Sequence, residues 1–227
     1  MDIRNRIGTI EGLAARAMAR SPPLAAAQLQ VVAGVGIAGD PHAHPCSPRQ
    51  LLLASQAAYD ALALPPLALR ENLLVDFDTA ALASGTVLRI GPEVTIRLMF
   101  QCEACGALDL HRPGLSRVIG ARRGMLARVL AGGTIRPGDA ICRLDTRLPA
   151  WPEDWRARVA LVLEAAPPGW VLEYRQLARL AGIQSSYCRA FPRVLQGLGP
   201  AYAARAVTAQ SASKLPRWDG AGLFDRF

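Results

Sequence analysis

The sequence predicts a multidomain chain: a mostly-β, barrel-like amino-terminal domain with a few helices, followed by a small all-α carboxyl-terminal domain. Three observations predict it. In the first two thirds, short β-branched and apolar runs are separated by Gly and Pro breakers, the pattern of strands joined by turns. The segment "DTRLPAWPED" then gathers proline, tryptophan and acid, and the β pattern does not return beyond it. The carboxyl-terminal remainder has helical spacing and tight Pro-Gly turns, the outline of a helix-turn-helix unit. The domains are accordingly placed at 1–147 and 148–227, and a chain of 227 residues can bury a core in each.

Taken in order, "MDIRNRIGTIEGLAARAMAR" mixes charges of both signs with helical spacing and predicts a short surface helix. "QLQVVAGVGIAGD" runs a strand into Gly-Asp, and "VLRIG", "EVTIRLMF" and "DAICRLD" are further strands. Helices are expected over Pro48–Leu62 and within "GLSRVIGARRGMLARVLAGG", where Leu115, Val118, Ile119, Leu126, Val129 and Leu130 recur at helix-like spacing before a Gly-Gly stop. Beyond the boundary, helices are expected over Asp154–Ala166, Tyr174–Leu180 and Ser186–Leu195.

Charged positions interrupt every apolar run well before the roughly 20 residues of a membrane-spanning helix, so no membrane role is expected. The amino terminus lacks a continuous apolar segment with a cleavage site, which points to a cytoplasmic protein. Five cysteines, an odd number, do not make a disulfide framework. The formal charge is +8, and all but one of the 26 basic residues are Arg, whose planar forked donors suit phosphates and oxyanions.

The chemistry-bearing stretch is "FQCEACGALD". A structural zinc site needs four ligands, often two such pairs, and only one C-x-x-C exists, with Cys142 and Cys188 standing alone. A thioredoxin-like pair would sit in a βαβ unit, which is missing around it. Two readings remain: Cys102 and Cys105 as small apolar residues ending a strand, or a thiolate stabilised by arginines and available as a nucleophile or soft-metal ligand. In "GDPHAHPC", Asp40, His42, His44 and Cys46 are either metal-binding partners for that pair or a polar loop facing water.

Four segments, "GVGIAGDPHAHPCSPRQLLL", "LRENLLV", "LASGTVLRIGPEVTIRLMFQCEACGALD" and "GARRGMLARVLAGGTIRPGDAI", together resemble the MOSC domain found at the carboxyl end of molybdenum cofactor sulfurases and in stand-alone bacterial proteins. The resemblance runs from about Val31 to Arg143 and implies a β-barrel with a cleft cysteine that carries sulfur or contacts molybdenum. By position Cys105 matches that cysteine and Cys102 accompanies it, while Asp40, His42, Arg70, Glu71, Asn72 and Arg123 fall on polar positions of the family pattern. The implied cofactor is the molybdenum cofactor (molybdopterin), with Arg70, Glu71, Asn72, Arg123 and Cys102 binding it and Cys105, His42 and Asp40 near the metal. The implied activity is sulfur transfer or molybdenum cofactor-dependent chemistry. The pyridoxal phosphate domain of sulfurase fusions has no counterpart in these segments, so no bound pyridoxal phosphate is expected. A cysteine desulfurase or a molybdoenzyme on another chain becomes the implied partner.

The segment Arg156–Pro200 resembles the winged-helix DNA-binding domain of alkylguanine-DNA alkyltransferases and alkyltransferase-like proteins, through helix, Pro-Gly turn and "YRQLARLAG". Tyr174 falls on the tyrosine that helps rotate a nucleotide, Arg189 near the arginine that fills the gap, and Arg175 and Arg179 are candidate phosphate contacts. The acceptor cysteine and its histidine are replaced by Ala203 and Ala204 in "AYAARAV", so alkyl transfer is not expected. Double-stranded DNA is the partner this resemblance implies. The rival reading of the whole chain is therefore a non-enzymatic lesion-recognition protein with an accessory barrel.

Overall fold

Closure of a β-sheet on itself organises the first part of the chain, seen in a computed structural model that describes residues 5–18 and 21–225. In chain order this part holds β1 (Arg6–Ala15), β2 (Leu24–Ala25), β3 (Leu29–Val32), β4 (Gly36–Ile37), β5 (Leu51–Ser55), α1 (Gln56–Leu62) and β6 (Leu73–Val75). After these come β7 (Thr86–Ile90), β8 (Val94–Gln101), α2 (Leu115–Val118), β9 (Met125–Ala131), β10 (Gly133–Ile135) and β11 (Ala140–Arg147). The strands run β11-β7-β8-β9-β5-β6-β1, and β1 pairs again with β11, which closes a seven-stranded barrel. Its neighbours are antiparallel except β5 and β6, which pair in parallel with Leu53 opposite Leu73. A small sheet, β10-β3-β4, lies outside that ring, and β2 extends the edge of β1.

Alternating side chains fill the barrel: Ile10, Leu53, Leu73, Leu88, Ile96, Leu98, Met125, Ala127 and Val129 belong to one buried cluster. A second cluster joins α1 to the segment before β6 and to the turns after β8, through Ala58, Tyr59, Leu62, Leu69, Leu108, Leu115 and Ile119. This second cluster supports a polar site at one end of the strands.

Three of the expected helices are corrected by the fold. The segment around Arg6–Ala15 is a strand, not a surface helix, because it bridges β6 and β11 and the barrel cannot close without it. Residues 1–4 and 19–20, also within that expected helix, lie outside the described residues. Pro48–Leu62 divides: Leu51–Ser55 is a fully buried strand, and Ser55 then caps α1 by accepting from the Ala58 amide at 3.2 Å. "GLSRVIGARRGMLARVLAGG" also divides, into α2, a 3₁₀ turn over Gly120–Arg123 and β9. The i, i+3, i+4 spacing of Leu126, Val129 and Leu130 is incidental; the period-two set Met125, Ala127, Val129 faces the core. Gly124 makes the switch at φ 108°, with its α-carbon so close to β5 that an added Cβ would stand 2.2 Å from the Leu53 carbonyl oxygen.

The second unit comprises residues 151–227 with 46–48, and residues 1–45 and 49–150 form the first. It contains α3 (Trp155–Ala165), β12 (Leu172–Glu173), α4 (Tyr174–Leu180), α5 (Phe191–Leu198), α6 (Pro200–Ala203) and β13 (Ala206–Val207). Asp154 caps α3 by accepting from the amides of Arg156 and Ala157, both at 2.9 Å. The expected Ser186–Leu195 helix is a 3₁₀ turn over Ser185–Ala190 followed by α5, which opens on Pro192. Buried Arg158 donates to the carbonyls of Ala181 at 2.8 Å and Glu153 at 2.7 Å. The unit is mainly helical but not all-α, since β12 and β13 pair in parallel; among the described residues it holds no antiparallel hairpin that would serve as a wing. No described helix is long and apolar enough to cross a membrane.

Gly124→Ala is expected to destabilise the barrel by about 2–4 kcal/mol, combining left-handed strain with a backbone clash. Gly138→Ala, also at positive φ but facing open space, is expected to cost only about 1 kcal/mol. Urea denaturation of the two variants side by side measures the difference.

Candidate functional site

The sequence "LALREN", just before β6, turns in an unusual way. Leu67 and Arg70 both take left-handed backbone, φ 61° and 53°, a conformation that costs a branched or long side chain on the order of 1–3 kcal/mol. The turn sends Arg70 outward, where its guanidinium donates to the Ser21 carbonyl at 2.8 Å, and directs Glu71 and Asn72 inward. Asn72 then stitches two strands: its Oδ1 accepts from the Leu52 amide and its Nδ2 donates to the Ala14 carbonyl, each at 3.1 Å. Asn72 thereby completes the ladder where β1, β5 and β6 meet, with both polar atoms of its amide engaged.

Three guanidinium groups surround the turn. Arg16, one residue beyond β1 and buried, donates through a terminal nitrogen to the Arg70 carbonyl at 2.5 Å. Arg123, also buried at the end of its 3₁₀ turn, donates to the Leu69 carbonyl. Both Arg16 Nε and Arg123 Nε are buried N–H groups with no hydrogen-bond partner among the described residues. Burial holds the Arg16 guanidinium below its usual pKa; the nearby Asp40 opposes this, while Arg70 and Arg123 add to it. A buried donor without a partner costs about 1–3 kcal/mol, so an acceptor supplied at either nitrogen would recover that cost.

Asp40 organises the opposite side. It is buried, accepts from the Arg16 amide at 3.1 Å and the His42 amide at 2.8 Å, and meets His42 Nδ1 at 3.0 Å. Burial alone would raise its carboxyl, but the bonds from the His42 side chain and backbone and from the Arg16 backbone outweigh it and hold the group below the usual carboxylate range. His42 itself stays exposed. Asp40 and His42 are thus brought together, but the described residues contain no group of three or more His, Cys, Asp or Glu side chains arranged to hold a metal ion.

Glu71 lies on the inner side of the turn, where its Oε2 accepts from Tyr59 Oη at 2.7 Å. Burial pushes the Glu71 carboxyl up, against the Tyr59 hydrogen bond and the charges of Arg123 and Arg16. Burial and the adjacent Glu71 also push the Tyr59 phenol up, so it stays protonated as a donor. Tyr59 in turn accepts from the Leu69 amide at 3.1 Å, which locks the pair to the turn.

The cysteine segment leaves β8 beside Arg123. The Cys102 amide donates to the Gly124 carbonyl at 2.8 Å, and Cys102 is buried. Cys105 is half-buried in extended backbone, just before a 3₁₀ turn over Gly106–Leu110. The guanidinium contact in this stretch falls on Cys102: Arg49 directs Nη2 at its Sγ from 3.6 Å and pairs through Nη1 with Glu103 at 2.9 Å. Sequence reasoning missed Arg16, Arg49 and Tyr59. Arg16 was hidden by the helical reading of β1, and Arg49 and Tyr59 gave no local motif, since their partners lie far along the chain.

These residues match a known domain. The MOSC domain family matches residues 40–142, from Asp40 to Cys142. This part of the chain is a MOSC domain. Solved structures agree on the fold. The YuaD protein from Bacillus subtilis is 19% identical with a TM-score of 0.53, covering 59% of this chain and 93% of its own. YiiM from Escherichia coli is 16% identical with a TM-score of 0.50 over 85% of this chain and 94% of its own. YiiM from Geobacillus stearothermophilus is 14% identical with a TM-score of 0.52 over 83% of this chain and 100% of its own. No curated protein matches the chain. The MOSC domain holds every cysteine-segment and turn residue of the site except Arg16, which precedes it.

The two YiiM matches extend past the first unit, which makes up about two thirds of the chain, so the helical unit has counterparts in those structures. The alkyltransferase-like residues sit as follows. Tyr174 opens α4 with its ring edge-on to Phe191 at 5.4 Å, Arg175 and Arg179 are exposed on α4, and Arg189 is exposed in the following 3₁₀ turn. Arg205 donates to the Ala166 and Pro167 carbonyls and so caps α3.

The lowered Asp40 pKa fixes a pH dependence. A carboxyl whose folded pKa lies below its unfolded value contributes stability that is full above the unfolded value of about 3.9 and is lost as pH falls through the folded one. Relative to Asp40→Asn, the wild type is expected to be more stable by about 1–3 kcal/mol near neutrality, with the difference shrinking below about pH 4. Thermal unfolding of both proteins across pH 3–7 gives the comparison.

Proposed function

We propose that the MOSC domain binds a phosphorylated pterin cofactor of the molybdenum cofactor type. Arg16, Arg70 and Arg123 receive its anionic end, and Cys105 offers a soft thiolate. The observation that carries this reading is the pair of buried, partnerless N–H groups, Arg16 Nε and Arg123 Nε, beside the Arg70 turn of a MOSC domain. The donor set fits such a ligand: phosphate oxygens complete the two orphaned guanidinium nitrogens, and a single accessible thiol suits a metal whose other ligands come from the pterin. When bound, that cofactor supplies two-electron redox chemistry. The chain's own residues hold the phosphate, keep the turn rigid through Asn72 and Asp40, and set the Tyr59–Glu71 hydrogen bond behind it. Persulfide carriage on Cys105 uses the same accessible thiol, with a cysteine desulfurase as the sulfur donor.

The experiment is purification from a host that makes molybdenum cofactor, followed by elemental analysis and pterin fluorescence. Wild-type protein is expected to carry pterin, phosphorus and molybdenum. Arg123→Ala and Arg16→Ala are each expected to lower pterin occupancy about tenfold, the effect of losing roughly 1.4 kcal/mol of phosphate contact. Cys105→Ala is expected to keep pterin and phosphorus but lose the thiol's contribution to molybdenum retention and any persulfide. A wild-type protein without pterin in such a host sinks the reading.

A second reading concerns the helical unit, where Arg175, Arg179 and Arg189 are all exposed on α4 and the turn after it. Duplex DNA binding through these residues needs no alkyl transfer, and Ala203 and Ala204 leave no acceptor for one. If DNA is the partner, duplex affinity is expected to fall linearly in log–log form with salt, and Arg175→Ala with Arg179→Ala to reduce that slope by about 2. A salt-independent or unchanged affinity excludes it.

A further inference from the structure

A cleft of about 590 Å³ opens beside the same turn, lined in part by Gly12–Ala14 of β1, by Gln56, Tyr59 and Asp60 of α1, and by residues 63, 64, 66 and 67. Its size is that of a small-molecule site. Its walls are apolar, with Leu13, Leu64, Pro66, Leu67 and Leu74 as the larger contributors, and its few polar groups include the hydrogen-bonded pair Tyr59 and Glu71. Two wall residues, Ala63 and Leu67, are non-glycine positions in left-handed backbone, φ 46° and 61°. Strain of that kind persists where the surrounding structure enforces a shape, and it concentrates around ligand sites.

The chemistry of the lining selects the ligand. Among the described residues no arginine or lysine lines the cleft, although the chain is strongly basic. An anion would therefore gain nothing here and would meet the acidic side chains of Asp60 and Glu71. A cation would have to shed water against leucine and proline for two carboxyls that already hold donors, Glu71 from Tyr59 and Asp60 from Gln56. The remaining rim groups, Gln56 and Asp60, bond each other at 2.8 Å. What fits is an uncharged molecule with a ring-sized apolar body and one hydrogen-bonding head that meets the Tyr59–Glu71 pair.

We infer that this cleft is a binding site for an uncharged, largely apolar small molecule, with its polar head against Tyr59 and Glu71. As a substrate site it rests on the cofactor reading, because Glu71 lies within the electrostatic reach of Arg16 and Arg123, and a head seated on it lies next to the cradle. As a binding site it stands on the cleft alone.

The test uses the full chain without cofactor and the neutral dye N-phenyl-1-naphthylamine, which has an aromatic body and a single N–H. Saturable fluorescence enhancement at one dye per chain is expected. Ala26→Trp, which places an indole in the cleft from its lining, is expected to weaken binding at least tenfold. Val32→Trp, on the exposed face of β3 and outside the lining, is expected to leave it unchanged. Circular dichroism and melting temperature confirm that both variants fold, and Leu74→Trp serves as the cleft-filling variant if Ala26→Trp does not. Absence of saturation, or equal binding by wild type and a folded cleft-filling variant, overturns the inference. The dye assay uses protein without cofactor and the cofactor assay uses no dye, so a failed cofactor reading leaves this result intact, and a failed dye result leaves the cofactor assay intact.

Discussion

The pairing of β1 with both β6 and β11 is the constraint on which the site depends. Barrel strands have no free edge, so each must be held on two sides, and β1 is the strand that supplies the last two sides. Its exit fixes the polar end. Ala14 exchanges bonds with Asn72, and two residues later Arg16 donates its amide to Asp40 and its guanidinium to the Arg70 carbonyl. One strand end therefore anchors the turn before β6 and the loop after β4, which are far apart in sequence. Removing that closure would separate the arginines before it exposed the core.

Holding buried guanidinium groups with two empty donors beside a left-handed arginine is unfavourable in the isolated chain. The surrounding structure offsets this with rigid, fully satisfied neighbours. Asn72 uses its amide on two strands, Asp40 uses its carboxylate on two amides and an imidazole, and Tyr59 both donates to Glu71 and accepts from Leu69. The same inventory separates roles that look alike in sequence. Asn72 and Asp40 spend their polar atoms on the fold, and Arg16 and Arg123 keep donors in reserve. Polar residues gathered at one end of the barrel thus differ by what their atoms already hold.

Much of the barrel was legible because β-branched runs bounded by Gly and Pro identify strands without tertiary knowledge, as in β7, β8 and β11. The failures share one cause. "RIGTIEGLAA" and "MLARVLA" are rich in Ala, Leu and Arg, residues with high helix propensity, and only pairing on both sides makes them strands. The site was legible where a local motif carries it, as at Arg70–Asn72, Asp40 and the cysteine segment. Arg16 was not, since its role comes from the end of a strand that propensity conceals. Nor could spacing say that Arg49 meets Cys102 rather than Cys105, because that contact spans 53 positions of chain.

The turn from Leu67 to Asn72 gives the domain two faces made from consecutive residues. Arg70 points to the cationic side and Glu71 to the apolar cleft, and the left-handed backbone at Arg70 produces the reversal between them. A regular strand would also alternate faces, but it would place both side chains within a uniform ladder with no carbonyl turned toward Arg16. Here the Arg70 carbonyl is diverted to that guanidinium, so the backbone itself becomes part of the cradle. Charge and apolar surface then lie one residue apart: burial raises the Glu71 carboxyl and the Tyr59 phenol, and leucine and proline supply most of the large side chains of the cleft wall. The left-handed backbone at Arg70 thus lets the buried guanidinium groups and the largely apolar cleft share a single wall.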